Sequence, residues 1–415
     1  MRFPTSIIEG KFPYLLLLAS AAVPPLVGLV LAPLITAHVT TAEYGSYVAY
    51  QTLCGMLNAI AGFSSVGYIS NAFIHPQEAP SINASMLTAA TGSLPVVALA
   101  ALWLNSHMQS QPPMLVAAMV AAALMTYVIG YFQAYATLLK RYGYLLGLAL
   151  AQFGIQAVLV LMFIGNQTLD LDRLVLGHVA GLALATLACL GPVRARLGLT
   201  WVRPRAATVR TLFWYGLPLV PHNFLSLATG SFDRWLLAKV DAVEFLAVYG
   251  VALSVAAPMY ILLDVANKVY SPRVFEQLRD GLREVHHFLG GMIALNAFGI
   301  FSATVVGVTG RFFIVHFFGP QYRDAAVFCV PLCFSIAAFS MYYSASPFLY
   351  YFNRTRLILA ATIAGAATAG VASWFGYVAW GGMGLVAAKA AGFIVCGLAA
   401  VALAHRILRA NTVQA

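Results

Sequence analysis

The sequence predicts an all-α polytopic membrane protein of about twelve transmembrane helices in two six-helix halves. Three observations carry this expectation. The 415 residues are 61% hydrophobic and 9% charged, whereas soluble globular chains carry roughly 25% charged residues, so most of the apolar surface must face lipid. The apolar residues are gathered into runs of about 20, the length a helix needs to cross a bilayer. A short turn motif recurs about half a chain later.

The runs are 12–35, 45–69, 85–105, 112–135, 142–164, 174–193, 212–237, 243–270, 288–308, 325–351, 357–377 and 384–403. They are too long for barrel strands, which span about ten residues and alternate. Arg2 and Lys11 precede the first run as in a signal peptide, but the run is too long and eleven more follow, so it is expected to be a true span. Spans 1–2, 7–8 and 11–12 are joined by very short connections. The longest loops are 194–211 and 271–287. The second, "SPRVFEQLRDGLREVHH", is expected to be a surface helix with Glu276–Arg279 and Asp280–Arg283 at i,i+3 spacing.

"AHVTTAEYGSY" from Ala37 and "AKVDAVEFLAVY" from Ala238 share the pattern A-x-V-x-x-x-E-aromatic, at the turns after spans 1 and 7. "LLKRYGYLL" after span 4 echoes "YFNRTRLIL" after span 10. The matching positions imply halves 1–200 and 201–415 in the same orientation, related by a pseudo-twofold along the membrane normal.

Charge placement gives the orientation. Of the 23 Lys and Arg, Arg234, Lys268 and Lys389 lie within spans, and Arg173, Lys239, Arg311 and Arg323 lie in loops on one side. The other sixteen, from Arg2 to Arg409, lie on the opposite side, which is therefore the cytoplasmic one and holds both termini. The formal charge of +10 is mostly topology and contact with membrane lipids. It is not a nucleic-acid signature, because the basic residues alternate with spans and form no single patch.

Other classes are excluded by what the chain lacks. No loop can fold as a nucleotide-binding domain and no phosphate-binding G-x-x-x-x-G-K-[ST] motif occurs. Cys54, Cys189, Cys329, Cys333 and Cys396 fall in or beside apolar runs and read as small packing residues. The intramembrane charges form neither a nucleophile–base pair nor a metal cluster, so no enzyme and no cofactor is expected.

Polar residues inside the spans carry the remaining signal. Gln51 and Asn58 lie on one stripe of span 2, and Gln152 and Gln156 are one turn apart in span 5. His222, Ser226, Thr229 or Gly230, and Asp233 line one face of span 7, with Asn223 beside His222. Asp264 and Lys268 are one turn apart in span 8 and can pair. Such stripes either join helices, at about 0.6 kcal/mol per hydrogen bond, or line a wet cavity. Charges are costlier, about 2.5 to 3.5 kcal/mol each at a helix centre. Asp233 and Arg234 are adjacent and so cannot face each other squarely. Lys389, in "MGLVAAKAAGFIVCG", has no carboxylate nearby in sequence.

Four segments carry a family resemblance: "LAPLITAHVTTAEYGSYVAY", "YGLPLVPHNFLSLATGSFDRWLLAKVDAVEFLAVYGVA", "FFGPQYRDAAVFCVPL" and "WGGMGLVAAKAAGFIV". In order, they resemble the polysaccharide and O-antigen flippases (Wzx type) of the multidrug/oligosaccharidyl-lipid/polysaccharide exporter (MOP) superfamily. The resemblance implies a MATE-like fold in the bacterial cytoplasmic membrane. It also implies a substrate: an oligosaccharide repeat unit on a polyprenyl diphosphate, moved to the outer leaflet for O-antigen, exopolysaccharide or capsule assembly. Other polysaccharide-assembly proteins are candidate partners. On that reading Arg234, Lys268 and Lys389 meet the diphosphate, since cations in a low-dielectric site favour an anion. Gln51, Asn58, Gln152, Gln156, His222 and Asn223 meet the sugar, and Asp233 or Asp264 couples an ion. The alternatives are an ion-coupled drug/cation antiporter of the same superfamily, which predicts a more acidic cavity, and a non-transporting subunit of a glycan synthase complex.

Overall fold

A computed structural model describes residues 12–69, 79–107, 112–196, 202–240, 242–282, 285–352 and 354–412. Arg2, Lys11 and Arg283 lie outside them. Among the described residues no strand occurs and nine helical segments are long and apolar enough to cross a membrane. Two polar helices, the second and seventh spans, add to these. The longest segment, Arg356–Arg409, folds back on itself, and the total comes to about twelve.

The chain divides into two compact units, Met1–Phe224 and Leu225–Ala415. The first contains α1 (Phe12–His38), α2 (Thr41–Ile60), α3 (Ala79–Gly92) and α4 (Leu94–Ser106). It continues with α5 (Pro113–Leu138), α6 (Tyr142–Gly165), α7 (Leu171–Ala188) and α8 (Ala206–Gly216). The turn from α1 to α2 is closed by a capping box: Thr40 Oγ1 accepts from the Glu43 N–H, and Glu43 Oε2 accepts from the Thr40 N–H at 2.9 Å. This is the glutamate of the repeated turn motif. The second echo also has a structural counterpart. The Arg141 N–H donates to Ala136 O at 2.8 Å and the Arg354 N–H to Leu349 O at 2.9 Å, so both helices end in the same 6→1 closure.

Span 2 does not run straight to residue 69. After Ile60 it becomes a 3₁₀ turn, Ala61–Tyr68, in which Gly62, Phe63 and Ser64 are left-handed. The Gly62 N–H donates to Ser93 Oγ at 2.9 Å, and Ser65 Oγ and Tyr127 Oη are 2.8 Å apart, which holds the backbone in a conformation side chains disfavour.

Span 7 is also broken. The segment expected to be loop to residue 211 instead forms α8, and Pro218 separates it from α9 (Leu219–Lys239). Phe213 stacks edge-on against Phe63 at 5.0 Å, Tyr215 against Tyr68 at 5.2 Å, and Gly216 packs directly on the Phe63 carbonyl. These contacts attach the start of span 7 to the first unit, which ends at Phe224.

The second unit continues from α9 into α10 (Val243–Ala256), α11 (Pro258–Arg279), α12 (Val285–Phe317), α13 (Ala325–Ala337), α14 (Ser340–Tyr351) and α15 (Thr355–Thr412). The expected surface helix at 271–287 is instead the continuation of α11, which runs through Pro272 to Arg279. Its Arg279 Nε lies 3.6 Å from Asp280. α15 is a hairpin of two helices broken at Gly381, whose φ of 56° suits only glycine without strain. Its arms meet without side chains between them: a Cβ on Gly384 would collide with the Gly376 carbonyl, and one on Gly365 would meet Gly392 O at 2.8 Å. Small residues give transmembrane helices this close approach. Tyr342, Phe348, Ile358, Cys396 and Ala400 form a core between α14 and both arms.

Candidate functional site

The hairpin of α15 sets the site. Its first arm lies against α9, with Phe232 over Gly370. Its second arm returns through the small-residue stretch around Lys389. That lysine reaches α9, where Gly230, Asp233 and Arg234 share a face at i, i+3 and i+4. Lys389 Nζ donates to Gly230 O at 2.5 Å and pairs with Asp233 Oδ2 at 2.9 Å. Lys389 and Asp233 are each 2% exposed.

Both oxygens of the carboxylate accept hydrogen bonds. Tyr249 Oη, from α10, donates to Asp233 Oδ2 at 2.6 Å, and the Arg234 N–H donates to Oδ1 at 2.8 Å. Tyr249 is itself held by the rings of Phe245 and Phe328. A buried ion pair recovers its desolvation only with further hydrogen bonds to the carboxylate, and these supply two.

Arg234 completes the cluster differently. Its Nη2 donates to Ser231 Oγ at 2.6 Å, while Nε is buried without a hydrogen-bond partner among the described residues. Two cations thus share one carboxylate, and Lys389 takes it. Arg234 carries the excess positive charge and the open donor. Buried donors are rarely left unmade, so Arg234 Nε is an exception among the described residues.

The other expected residues lie elsewhere. Asp264 and Lys268 pair at 2.6 Å along α11, with both side chains about half exposed. His222 and Asn223 are half-buried on the first turns of α9. In the first unit Gln51 is exposed on α2, while Asn58 and Gln152 are half-buried. Gln156 is buried and donates to Tyr47 Oη at 3.1 Å.

Sequence reasoning missed the centre of that second polar group. Tyr50 Oη lies 3.1 Å from His178 Nδ1, with the rings edge-on, and Tyr47 stacks on Tyr50. Tyr47, Tyr50 and Gln51 share one face of α2, and His178 interrupts the apolar run of α7; both signals are present in the sequence. It also missed Tyr249, which looks like one more membrane aromatic until Asp233 is placed beside it.

No family model and no curated protein matches the chain. Solved structures do match it along nearly its whole length. A mutant of the Vibrio cholerae MATE transporter VcmN superposes with a TM-score of 0.67 at 14% identity, covering 97% of this chain and 96% of that one. The fold is that of the MATE transporters. A multidrug resistance MATE family transporter of the MOP superfamily, in an inward-facing conformation, gives a TM-score of 0.62 at 11% identity over 99% of this chain and 96% of its own. A MOP superfamily transporter from Pyrococcus furiosus gives 0.59 at 11% identity, over 95% and 94%. Reverse polarity of that protein's binding pocket is described as suggesting a different function. At these identities the likeness establishes the fold alone.

Proposed function

We propose that the protein is a MOP-type transporter that flips an anionic lipid-linked oligosaccharide, a repeat unit on a polyprenyl diphosphate, across the bacterial cytoplasmic membrane. Both termini face the cytoplasm on this reading. The MATE-like fold supports transport, and the four sequence segments that resemble polysaccharide flippases support the substrate class. The observation that carries it is Arg234. Its guanidinium is left with the positive excess of the buried cluster and an unpartnered Nε. A guanidinium presents a fork of donors that matches phosphate oxygens, and charge-assisted hydrogen bonds are roughly twice as strong as neutral ones. Lys268, half-exposed on α11 and paired with Asp264, is a further candidate contact.

The experiment is export of glycan measured against membrane abundance. Arg234→Ala is expected to reach the membrane at wild-type levels and to lose most export. Lipid-linked intermediates should then accumulate in the cytoplasmic leaflet. Wild-type export by Arg234→Ala would remove the anion contact, and with it the main support for this substrate class.

A second reading, an ion-coupled drug or cation antiporter, is favoured by the MATE neighbours. It calls for surplus acid at the site, whereas this cluster has surplus base. Uptake of an organic cation into everted vesicles, sensitive to Asp233→Asn and not to Arg234→Ala, would favour it.

A further inference from the structure

The contacts of Lys389 are those of a bound ion more than those of a substrate ligand. Its ammonium sits between a backbone carbonyl oxygen, Gly230 O at 2.5 Å, and a carboxylate oxygen, Asp233 Oδ2 at 2.9 Å. Carboxylate and carbonyl oxygens are also the ligands that hard metal cations take. The Gly230 carbonyl accepts from the Lys389 side chain in the middle of α9, far from the free carbonyls of a helix end. Tyr249 Oη donates to the same Asp233 oxygen, and the Arg234 N–H donates to the other. Two strong acceptors, Gly230 O and Asp233 Oδ2, are therefore turned to the Lys389 ammonium, with a longer contact of 3.4 Å from Arg234 Nη2 to the same carbonyl, and that ammonium is covalently part of α15.

We propose that the Gly230 carbonyl and the Asp233 carboxylate, the latter held by Tyr249, form a monovalent-cation site in the second unit whose resident ion is the chain's own Lys389 ammonium. The site ties α9 and α10 to the returning arm of α15 without an ion from solution. Asp233 is then closed to sodium, potassium and small organic ammonium ions in the wild-type protein. Removing the lysine side chain opens a site for them. The inference does not depend on the flippase reading, because its test reads binding through stability and not export.

The test is thermal unfolding of the purified full-length protein in detergent. Ionic strength is held constant while choline chloride is exchanged for sodium, potassium or ethylammonium chloride. Wild type is expected to unfold at the same temperature in all four. Lys389→Ala is expected to unfold several degrees lower in choline and to recover part of the loss in ethylammonium or one alkali salt. That recovery should be absent from Asp233→Asn/Lys389→Ala. A sodium- or potassium-dependent rise in wild type that Asp233→Asn abolishes overturns the proposal. So does a Lys389→Ala protein indifferent to all four salts. Where Lys389→Ala does not accumulate in membranes, the neutral pair Asp233→Asn/Lys389→Met decides: recovered accumulation supports the assignment, and continued absence overturns it.

Discussion

Lys389 and Asp233, on helices far apart in sequence, meet at 2.9 Å with each residue 2% exposed. Neither can be understood alone. Each neutralises the other's buried charge, and Tyr249 donates to the same carboxylate oxygen.

This coupling predicts strong non-additivity. Removing one member of a buried pair costs about 3–5 kcal/mol, because it strands the other charge, whereas replacing both with apolar or neutral groups is often close to neutral. Asp233→Asn and Lys389→Met should each lower the unfolding temperature, and the double variant should lie nearer to wild type than either. Additive losses in thermal unfolding would show that the two residues do not depend on each other.

The α15 hairpin predicts a position-specific intolerance to one methyl group. Gly384→Ala places a Cβ against the Gly376 carbonyl, whereas Gly130→Ala in α5 meets nothing within 4 Å. Gly384→Ala should lose folded yield in detergent by size-exclusion chromatography. Gly130→Ala should keep or slightly raise it, since alanine is favoured over glycine in a helix by about 0.5–1 kcal/mol. Equal yields for the two would remove the close-packed hairpin.

In the first unit, the Tyr50–His178 contact predicts a modest effect. Tyr50→Phe keeps the ring and deletes the hydroxyl that lies 3.1 Å from His178 Nδ1, at a cost of about 0.5–1.5 kcal/mol. His178→Phe alone should cost a similar amount. In the Tyr50→Phe/His178→Phe pair the hydrogen-bond loss is counted once. A double-mutant cycle in thermal unfolding with no interaction energy would contradict the bond.

The charge bias predicts an orientation. A reporter active only in the cytoplasm should work when fused after Arg205, and one active only outside should work after His107. Both fusions reporting the same side would overturn the cytoplasmic placement of the termini.

Much of this was legible in the residues. Apolar length marked most of the long helices, because a helix in lipid must satisfy its own backbone and cover its own width of bilayer. The Thr40–Glu43 cap and the short turn at Gly381 are local features, so the sequence around each is sufficient to mark it. The intramembrane charges were visible too, as residues too costly to be there without a partner.

The partners were not visible. Whether Lys389 faces Asp233, a ligand or lipid depends on how the second arm of α15 lies against α9, and that arm is positioned by the hairpin whose glycines let its two halves approach. The breaks in spans 2 and 7 were hidden for a related reason. Hydropathy averages over a run and does not register that Phe213 and Tyr215 hold to Phe63 and Tyr68 while the chain from Leu225 belongs to the other unit. The sequence by itself thus determined which segments enter the membrane and which charges need explaining. Only the tertiary structure decided that Asp233 and Lys389 satisfy each other and that Arg234 is left with an open donor, because charge pairing is a property of distances between helices and not of order along the chain.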